Sequence, residues 1–329
     1  MVKKILIVRT SSLGDLVHML PAISDIAAHL PQAQIDWVVE EALADIPQWH
    51  PHINHVYTVA HRRWRKRWWQ PQVRAERRQF REAISAEQYD VVLDMQALMK
   101  SVWIVRQTRG PRHGLNWKSA REPLASLFYQ HKYAIEFWQP AVIRQRLLAS
   151  QVFGYPLAGA PNYGLQAFRV DNPVQNYAAI MPSASRDDKL WAAEKWHVIF
   201  DYLIEQGLTL RLFAGNDQEA ARAQDLITDY QEHAQVLPRM GLTEVAQELA
   251  VARLMVGLDS GLTHLSAALG RPTVGIYKAS TPTRTPLIGS AYTASLGDRG
   301  QDPSAETVLA ATQAAYASDS QSDSGLWTL

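Results

Sequence analysis

Short unbroken apolar runs alternate along the chain with longer stretches in which apolar residues recur every three or four positions. The first kind reads as buried strand, the second as amphipathic helix. In the N-terminal half the strand-like runs are KKILIVRT, QIDWVVEE, HVYTVA and YDVVLDMQ. A helical pattern from Leu16 to Leu30 follows the first, and YDVVLDMQ leads into LMKSVWIVRQ. From Asn172 the alternation restarts and becomes very regular. NYAAIMPS, LTLRLFAG, AQVLP, RLMVGLDS and PTVGIYKA read as strands, with helices WAAEKWHVIFDYLIEQG, DQEAARAQDLITDY, TEVAQELAVA and LTHLSAALG between them. Such alternation predicts mostly parallel sheets with helices packed on them. The stretch FGYPLAGAPNYGLQAFRVDNP, rich in glycine, proline and asparagine, reads as a linker. The expected fold is α/β, with two Rossmann-like doubly wound domains facing across a cleft. Residues 1–160 form the first, residues 172–304 the second, and residues 305–329 add a C-terminal helix and a mobile tail, SDSQSDSGLWTL.

Bulk composition agrees with this division. A length of 329 residues suffices for two cores, and 47% hydrophobic with 20% charged residues is ordinary for a globular protein. The absence of cysteine excludes disulfides and thiolate metal sites and fits a reducing compartment. The run KKILIV is too short for a signal segment, and no stretch approaches the ~20 apolar residues that cross a bilayer. The formal net charge is only +1. Its distribution is uneven. Residues 61–81, HRRWRKRWWQPQVRAERRQFR, hold nine Arg or Lys and a single acid, Glu76, with Trp64, Trp68 and Trp69 interleaved. A solvated face mixes signs and has no reason to expose three indoles. A concentrated positive patch attracts a polyanion, either nucleic acid stacked on tryptophan or an anionic membrane surface. Lys100, Lys118 and Arg121 add further positive charge.

Three loops carry candidate chemistry. The first strand runs into RTSSLGD, where Asp15 is either a helix cap or a catalytic carboxylate at the end of a strand. Pro21 favours the second role: a proline in the first turn of a helix places the helix start near Val17 or His18 and leaves Asp15 in the loop. In the second half, MPSASRDDKLW places Ser183, Ser185 and Lys189 before a helix, and VGLDSGLTHLSAALG places Asp259, Ser260 and Gly261 at the next helix start, with His264 one turn in. Hydroxyls, free amides and an ammonium at helix N-termini suit a diphosphate. Neither a G-x-x-x-x-G-K-[ST] nor a G-x-G-x-x-G after the first strand is present, and there is no D-x-D.

The segments RTSSLGD with HMLPA, RRWRK, NWKSAREPLASLFY, SRDDKLW, LPRM and DSGLTHLSAALGRP together resemble glycosyltransferase family 9, the lipopolysaccharide heptosyltransferases of GT-B fold, over nearly the whole chain. AREPLASLFY and the basic tryptophan stretch favour its type I branch over type II. The resemblance implies an inverting, metal-independent transfer of L-glycero-D-manno-heptose from ADP-heptose to the inner Kdo of Kdo2–lipid A. It places the protein in the cytoplasm, peripheral on the inner membrane in contact with its anionic surface, with no cofactor and no nucleic-acid partner. By motif it assigns Asp15 as general base and Lys189 as the diphosphate lysine. Ser183, Ser185, Glu219, Met240, Asp259, Ser260, Gly261, Leu262 and His264 fall to the donor, with Glu219 on the ribose hydroxyls and Met240 against adenine. Arg62, Arg63, Arg65, Lys66, Lys100 and Arg121 fall to the acceptor. Ala184-Ser185 stands where the family pattern has Thr-Thr, and Ser260 where it has Thr. Two alternatives stay open: another family 9 transferase, or a non-catalytic module binding anionic lipid or nucleic acid.

Overall fold

The computed structural model describes residues 4–168, 174–184 and 186–320. The chain divides into two compact units, the first ending at Gly164 and the second beginning at Leu165. The first contains β1 (Lys4–Val8), α1 (Leu13–Val17), α2 (Leu20–His29), β2 (Gln34–Glu40), α3 (Asp45–Gln48), β3 (Ile53–Val59) and α4 (His61–Lys66). It continues with α5 (Pro71–Ala86), β4 (Val91–Asp94), α6 (Met99–Val105), β5 (Arg112–Leu115), β6 (His131–Tyr133) and α7 (Ala141–Phe153). All six strands are parallel, in the order β3-β2-β1-β4-β5-β6, and Val8 at the end of β1 aligns with Val38 and with Asp94. Central strands covered on both faces must be apolar throughout, which is why Ile5 to Val8 form an unbroken, fully buried run.

The second unit contains β7 (Gln175–Met181), α8 (Ala193–Glu205), β8 (Thr209–Leu212), α9 (Asp217–Leu226), β9 (Ala234–Val236) and α10 (Leu242–Val251). It is completed by β10 (Ala252–Leu258), α11 (Gly261–Ala268), β11 (Thr273–Ile276), β12 (Thr293–Leu296) and α12 (Ala305–Ser320). Its parallel sheet runs β12-β11-β10-β7-β8-β9, the same winding as the first unit. Trp196, Phe200 and Leu203 of α8 bury one face of the sheet. The terminal helix α12 packs on α8 and across β10 to β12, with Val308 and Ala315 fully buried, so it belongs to this core. Ser318 to Ser320 close α12; the remainder of the tail lies outside the described residues, as does Ser185.

The helical pattern from Leu16 to Leu30 is two helices rather than one. Pro21 does sit in the first turn of α2, but the chain turns at His18 and Met19, and α1 starts earlier, at Leu13. Asp15 therefore lies inside α1 and not in a loop before the helix. The cause is local: Ser12 is the N-cap, and the Asp15 carboxylate reaches back to its backbone amide.

Candidate active site

In an open doubly wound sheet, ligands bind at the carboxyl ends of the strands, where the connections diverge to opposite sides. That point falls between β1 and β4 in the first unit, and between β7 and β10 in the second.

In the first unit it is occupied by Asp15. Its Oδ2 accepts from the Ser12 amide at 3.0 Å and the Ser12 hydroxyl at 2.9 Å, and its Oδ1 pairs with Arg9 Nη2 at 2.8 Å. Arg9 is nearly buried, and its other terminal nitrogen donates to the Met95 carbonyl. The loop after β4 braces the loop after β1. Gln96 Oε1 accepts from the Thr10 amide at 3.1 Å and hydroxyl at 2.8 Å, and its amide nitrogen donates to the Ser11 carbonyl at 3.1 Å. Beneath them Asp94 accepts from the Gln96 and Ala97 amides and from the Tyr129 hydroxyl, at 2.9, 3.0 and 2.7 Å. Full burial pushes the Asp94 carboxyl upward in pKa despite these bonds. Asp15 behaves oppositely. Burial opposes its ionisation, but the Arg9 charge, the Ser12 hydrogen bonds and His18 outweigh it and hold the pKa down to about 2. Its side chain keeps 37% exposure. Asp15 is thus an oriented, ionised carboxylate with a face open to solvent.

Beside it lies a cavity of about 540 Å³, walled by Ser11, Glu40, His61, Arg62, Trp64, Arg65, Trp68, Arg77, Lys100 and Trp103. The Glu40 carboxylate creates one wall by accepting from the His61 and Arg62 amides at 3.3 and 3.1 Å, which holds the start of α4. Lys100 Nζ donates to Ser11 Oγ at 2.6 Å, tying the pocket to the Asp15 loop. Partial desolvation lowers the Lys100 pKa; Glu40 and Asp15 oppose this, while Arg62 and Arg9 add to it.

Of the basic residues expected to bind acceptor, Arg62, Arg65 and Lys100 meet in this pocket. Arg63 does not. It is held by Glu41 at 2.9 Å and Glu76 at 2.7 Å. Lys66 and Arg121 are exposed and lie outside the pocket walls. The expectation of three displayed indoles also needs correction. Trp64 is only 6% exposed, donates to Glu76 at 2.8 Å and packs with Phe80 and Trp103 in the core. Trp68 and Trp69, at 63% and 55%, remain exposed. Arg77 was missed, although it sits in the basic stretch: the α5 helix turns it back over Trp103, 5.4 Å from the ring, and into the pocket.

In the second unit Lys189, in the turn after β7, donates to the Asp259 carbonyl at 2.9 Å and to its Oδ2 at 2.8 Å. His264 Nε2 lies 3.2 Å from Oδ1, and the Ser280 hydroxyl donates to Oδ2. Burial opposes ionisation of Asp259, but bonds and charge from His264 and Lys189 prevail and hold its pKa below the ordinary carboxylate range. Only 12% of its side chain is exposed. Ser260 is the N-cap of α11, its hydroxyl accepting from the Thr263 amide at 3.4 Å; the Thr263 amide is thereby taken, and those of Gly261 and Leu262 form the first turn. Gly257 lets α11 sit this close, since a Cβ there would fall 2.7 Å from Thr263 Oγ1.

Around this point the described residues form two further hollows. One, about 590 Å³, is lined by Ala184, Arg186, Asn216, Glu219 and Arg222 among others. Glu219 accepts from the Gly215 amide at 2.8 Å and Asn216 Nδ2 at 2.9 Å, so its carboxylate already braces the α9 start that it was expected to offer to a ribose. The other, about 560 Å³, includes Arg186, Lys278 and Arg299. Met240 sits in the loop after β9, at the same carboxyl edge, and Ser183 is almost wholly buried. Ser280, Lys278 and Arg299 went unnoticed because their loops follow β11 and β12 without any glycine-hydroxyl pattern at a helix start. Among the described residues no group of three or more His, Asp or Glu side chains is placed to hold a metal.

Each doubly wound unit thus carries a charged site of its own: a basic pocket near an ionised acid on the first, and a lysine held at a helix N-terminus on the second. Residues 77–313 match glycosyltransferase family 9 (heptosyltransferase), and the chain belongs to that family. Lipopolysaccharide heptosyltransferase 1 of Escherichia coli strain K12 is 43% identical over 291 residues, covering 87% of this chain and 90% of that protein. The protein of the same name from Pseudomonas aeruginosa is 41% identical over 290 residues, covering 87% and 81%. The solved structure of E. coli heptosyltransferase WaaC with ADP aligns with a TM-score of 0.87 at 40% identity, over 94% of this chain and 98% of that one. The same enzyme with ADP-2-deoxy-2-fluoro heptose aligns at 0.84.

Proposed function

We propose that this heptosyltransferase moves L-glycero-D-manno-heptose from ADP-heptose to the inner Kdo of Kdo2–lipid A, with inversion and without a metal. We further propose that it works in the cytoplasm, peripheral on the anionic face of the inner membrane. The observation that carries this reading is the oriented, partly exposed Asp15 carboxylate, on a loop that also supplies Ser11 to the wall of a pocket holding four cations. In that pocket Arg62, Arg65, Arg77 and Lys100 pair with the carboxylates and phosphates of an anionic acceptor. Similarity to relatives named as lipopolysaccharide heptosyltransferase 1 supports the donor and acceptor classes.

In this reading the acceptor hydroxyl gives its proton to Asp15 as its oxygen bonds to the anomeric carbon, while the bond from that carbon to the diphosphate oxygen breaks. Asp15 is a weak base by equilibrium pKa, so the proton moves late, once bond formation has acidified the hydroxyl. Negative charge grows on departing ADP, where Lys189 and the Gly261 and Leu262 amides stabilise it. Asp259, held by His264 and Ser280, positions Lys189 for this. Mixing the purified chain with ADP-heptose and Kdo2–lipid A in the presence of EDTA should yield ADP and an acceptor heavier by one heptosyl group. No product with this pair, and turnover with another nucleotide sugar or acceptor, would overturn the substrate assignment.

A further inference from the structure

Among the described residues, large exposed hydrophobic side chains concentrate in the first unit; all of them except Val198 belong to it. Trp68 and Trp69 join α4 to α5, Met99 opens α6, Trp117 follows β5, Leu124 precedes β6, and Trp138 follows β6. In a parallel sheet these connections leave from the carboxyl ends of the strands. Trp68, Trp69, Met99, Trp117 and Trp138 therefore lie toward the edge that carries the basic pocket, Trp68 as one of its walls, while Leu124 lies on the return toward β6. Glu122 fastens the segment before Leu124 to α6, its carboxylate accepting from the Met99 amide at 2.6 Å. Exposed cations are interleaved with the apolar side chains: Arg65, Lys66 and Arg67 run directly into Trp68, and Lys118 and Arg121 lie between Trp117 and Leu124.

A patch for a folded protein partner has an apolar centre and a polar rim. Here aromatic and cationic residues alternate instead. Tryptophan is favoured at the headgroup level of a bilayer, and lysine and arginine beside it gain from anionic lipid. We propose that this edge of the first unit is a bilayer-docking surface. Trp69, Trp117, Leu124 and Trp138 enter the boundary between headgroups and acyl chains, and the flanking cations meet lipid phosphates. The pocket then opens toward the membrane plane, where a lipid-borne sugar acceptor presents its head. The proposal deepens the membrane contact stated above and rests on it, but docking itself needs no acceptor.

The test uses the full chain with vesicles free of acceptor: phosphatidylcholine alone, and phosphatidylcholine with phosphatidylglycerol. Sedimentation should show binding to the anionic vesicles, weakening as salt rises. Replacing Trp69, Trp117, Leu124 and Trp138 together with Ser should lower that binding at least ~10-fold. The melting temperature and transfer to a deacylated, water-soluble acceptor should stay unchanged. Absence of wild-type binding, equal binding to neutral vesicles, or undiminished binding by the variant would overturn the proposal. So would undiminished vesicle binding with loss of transfer only to the acylated acceptor, since the patch would then hold acceptor chains, or a wild-type dimer that the variant dissolves. Absence of sugar transfer by the wild-type chain, with its docking intact, would count against the proposed reaction alone.

Discussion

The two units wind their sheets in the same order and each carries an aspartate beside its switch point, Asp15 after the first strand of its unit and Asp259 after the fourth, yet the two aspartates are built for different work. Asp15 is held by one guanidinium and one serine and keeps 37% of its side chain exposed. Asp259 is held by Lys189, His264 and Ser280, with 12% exposed. Both are ionised. Only the first keeps a broad open face, on a loop whose Ser11 walls a cavity that collects cations. A strand-end carboxylate is read by what remains free after its partners are counted. Asp15 has room for a substrate proton; Asp259 spends its oxygens aiming a lysine.

The largest expected effect follows from that difference. Asp15→Asn keeps the shape and the Ser12 contact but loses the charge, and turnover should fall at least ~10²-fold. Stability should fall by about 1–3 kcal/mol, because the single Asn oxygen can accept from Ser12 or from the nearly buried Arg9 but not from both. Near-normal turnover would return Asp15 to capping α1. A related variant sharpens the point: Arg9→Met should raise the Asp15 pKa from about 2, so the acid limb of kcat/KM should move to higher pH. An unmoved limb would break the link between Arg9 and the base.

Next in size, Lys189→Ala should lower kcat ~10-fold or more if the ammonium meets charge that grows on the leaving group, with less change in KM. Comparable in size, simultaneous replacement of Arg62, Arg65 and Lys100 with Ala should raise KM for acceptor ~10-fold and leave KM for donor unchanged, because these cations supply charge-assisted hydrogen bonds to the acceptor alone. Arg63→Ala should move neither constant, since Glu41 and Glu76 already occupy that guanidinium. A rise in both constants would place the basic pocket on the donor as well.

How much of this was legible beforehand depended on whether a residue's role was set by its neighbours in sequence. The regular second unit was readable because each helix start and strand carries its own pattern, and Ser260, Gly261 and Asp259 fall where the strand LMVGL ends. The short strands β5, β6 and β12, of four, three and four residues, were not, since RHGL, HKY and TASL have too few apolar positions to show a period. Charge counts located the basic pocket without sorting its members. Whether Arg63 faces a substrate or Glu41 depends on a contact across 22 residues, and Trp64 is buried because Phe80 and Trp103 approach it from other elements. Asp15 was found for its chemistry but misplaced, because Pro21 marks the start of the second helix and says nothing of a first helix begun by Ser12.

A last effect concerns stability. His50, His61 and His113 are held down to about 4, each chiefly by burial and further by a neighbouring His or by Lys100 and Arg77. Unfolded, they titrate near 6.5. Their folded pKa values are depressed, so the unfolded chain binds more protons between these limits. Stability should be fully present above pH ~6.5 and decline as pH falls toward ~4. A denaturant midpoint at pH 5 equal to that at pH 7 would show these rings to be protonated in the folded protein.

The division of work between Asp15 and Asp259 is read by titrating ADP into Asp15→Asn and Asp259→Asn side by side and measuring turnover on the same preparations. Asp15→Asn should keep wild-type ADP affinity and lose turnover, and Asp259→Asn, whose Lys189 has lost its anchor, should bind ADP ~10-fold or more weakly. Equal losses of affinity in both, or turnover retained by Asp15→Asn, would contradict that division.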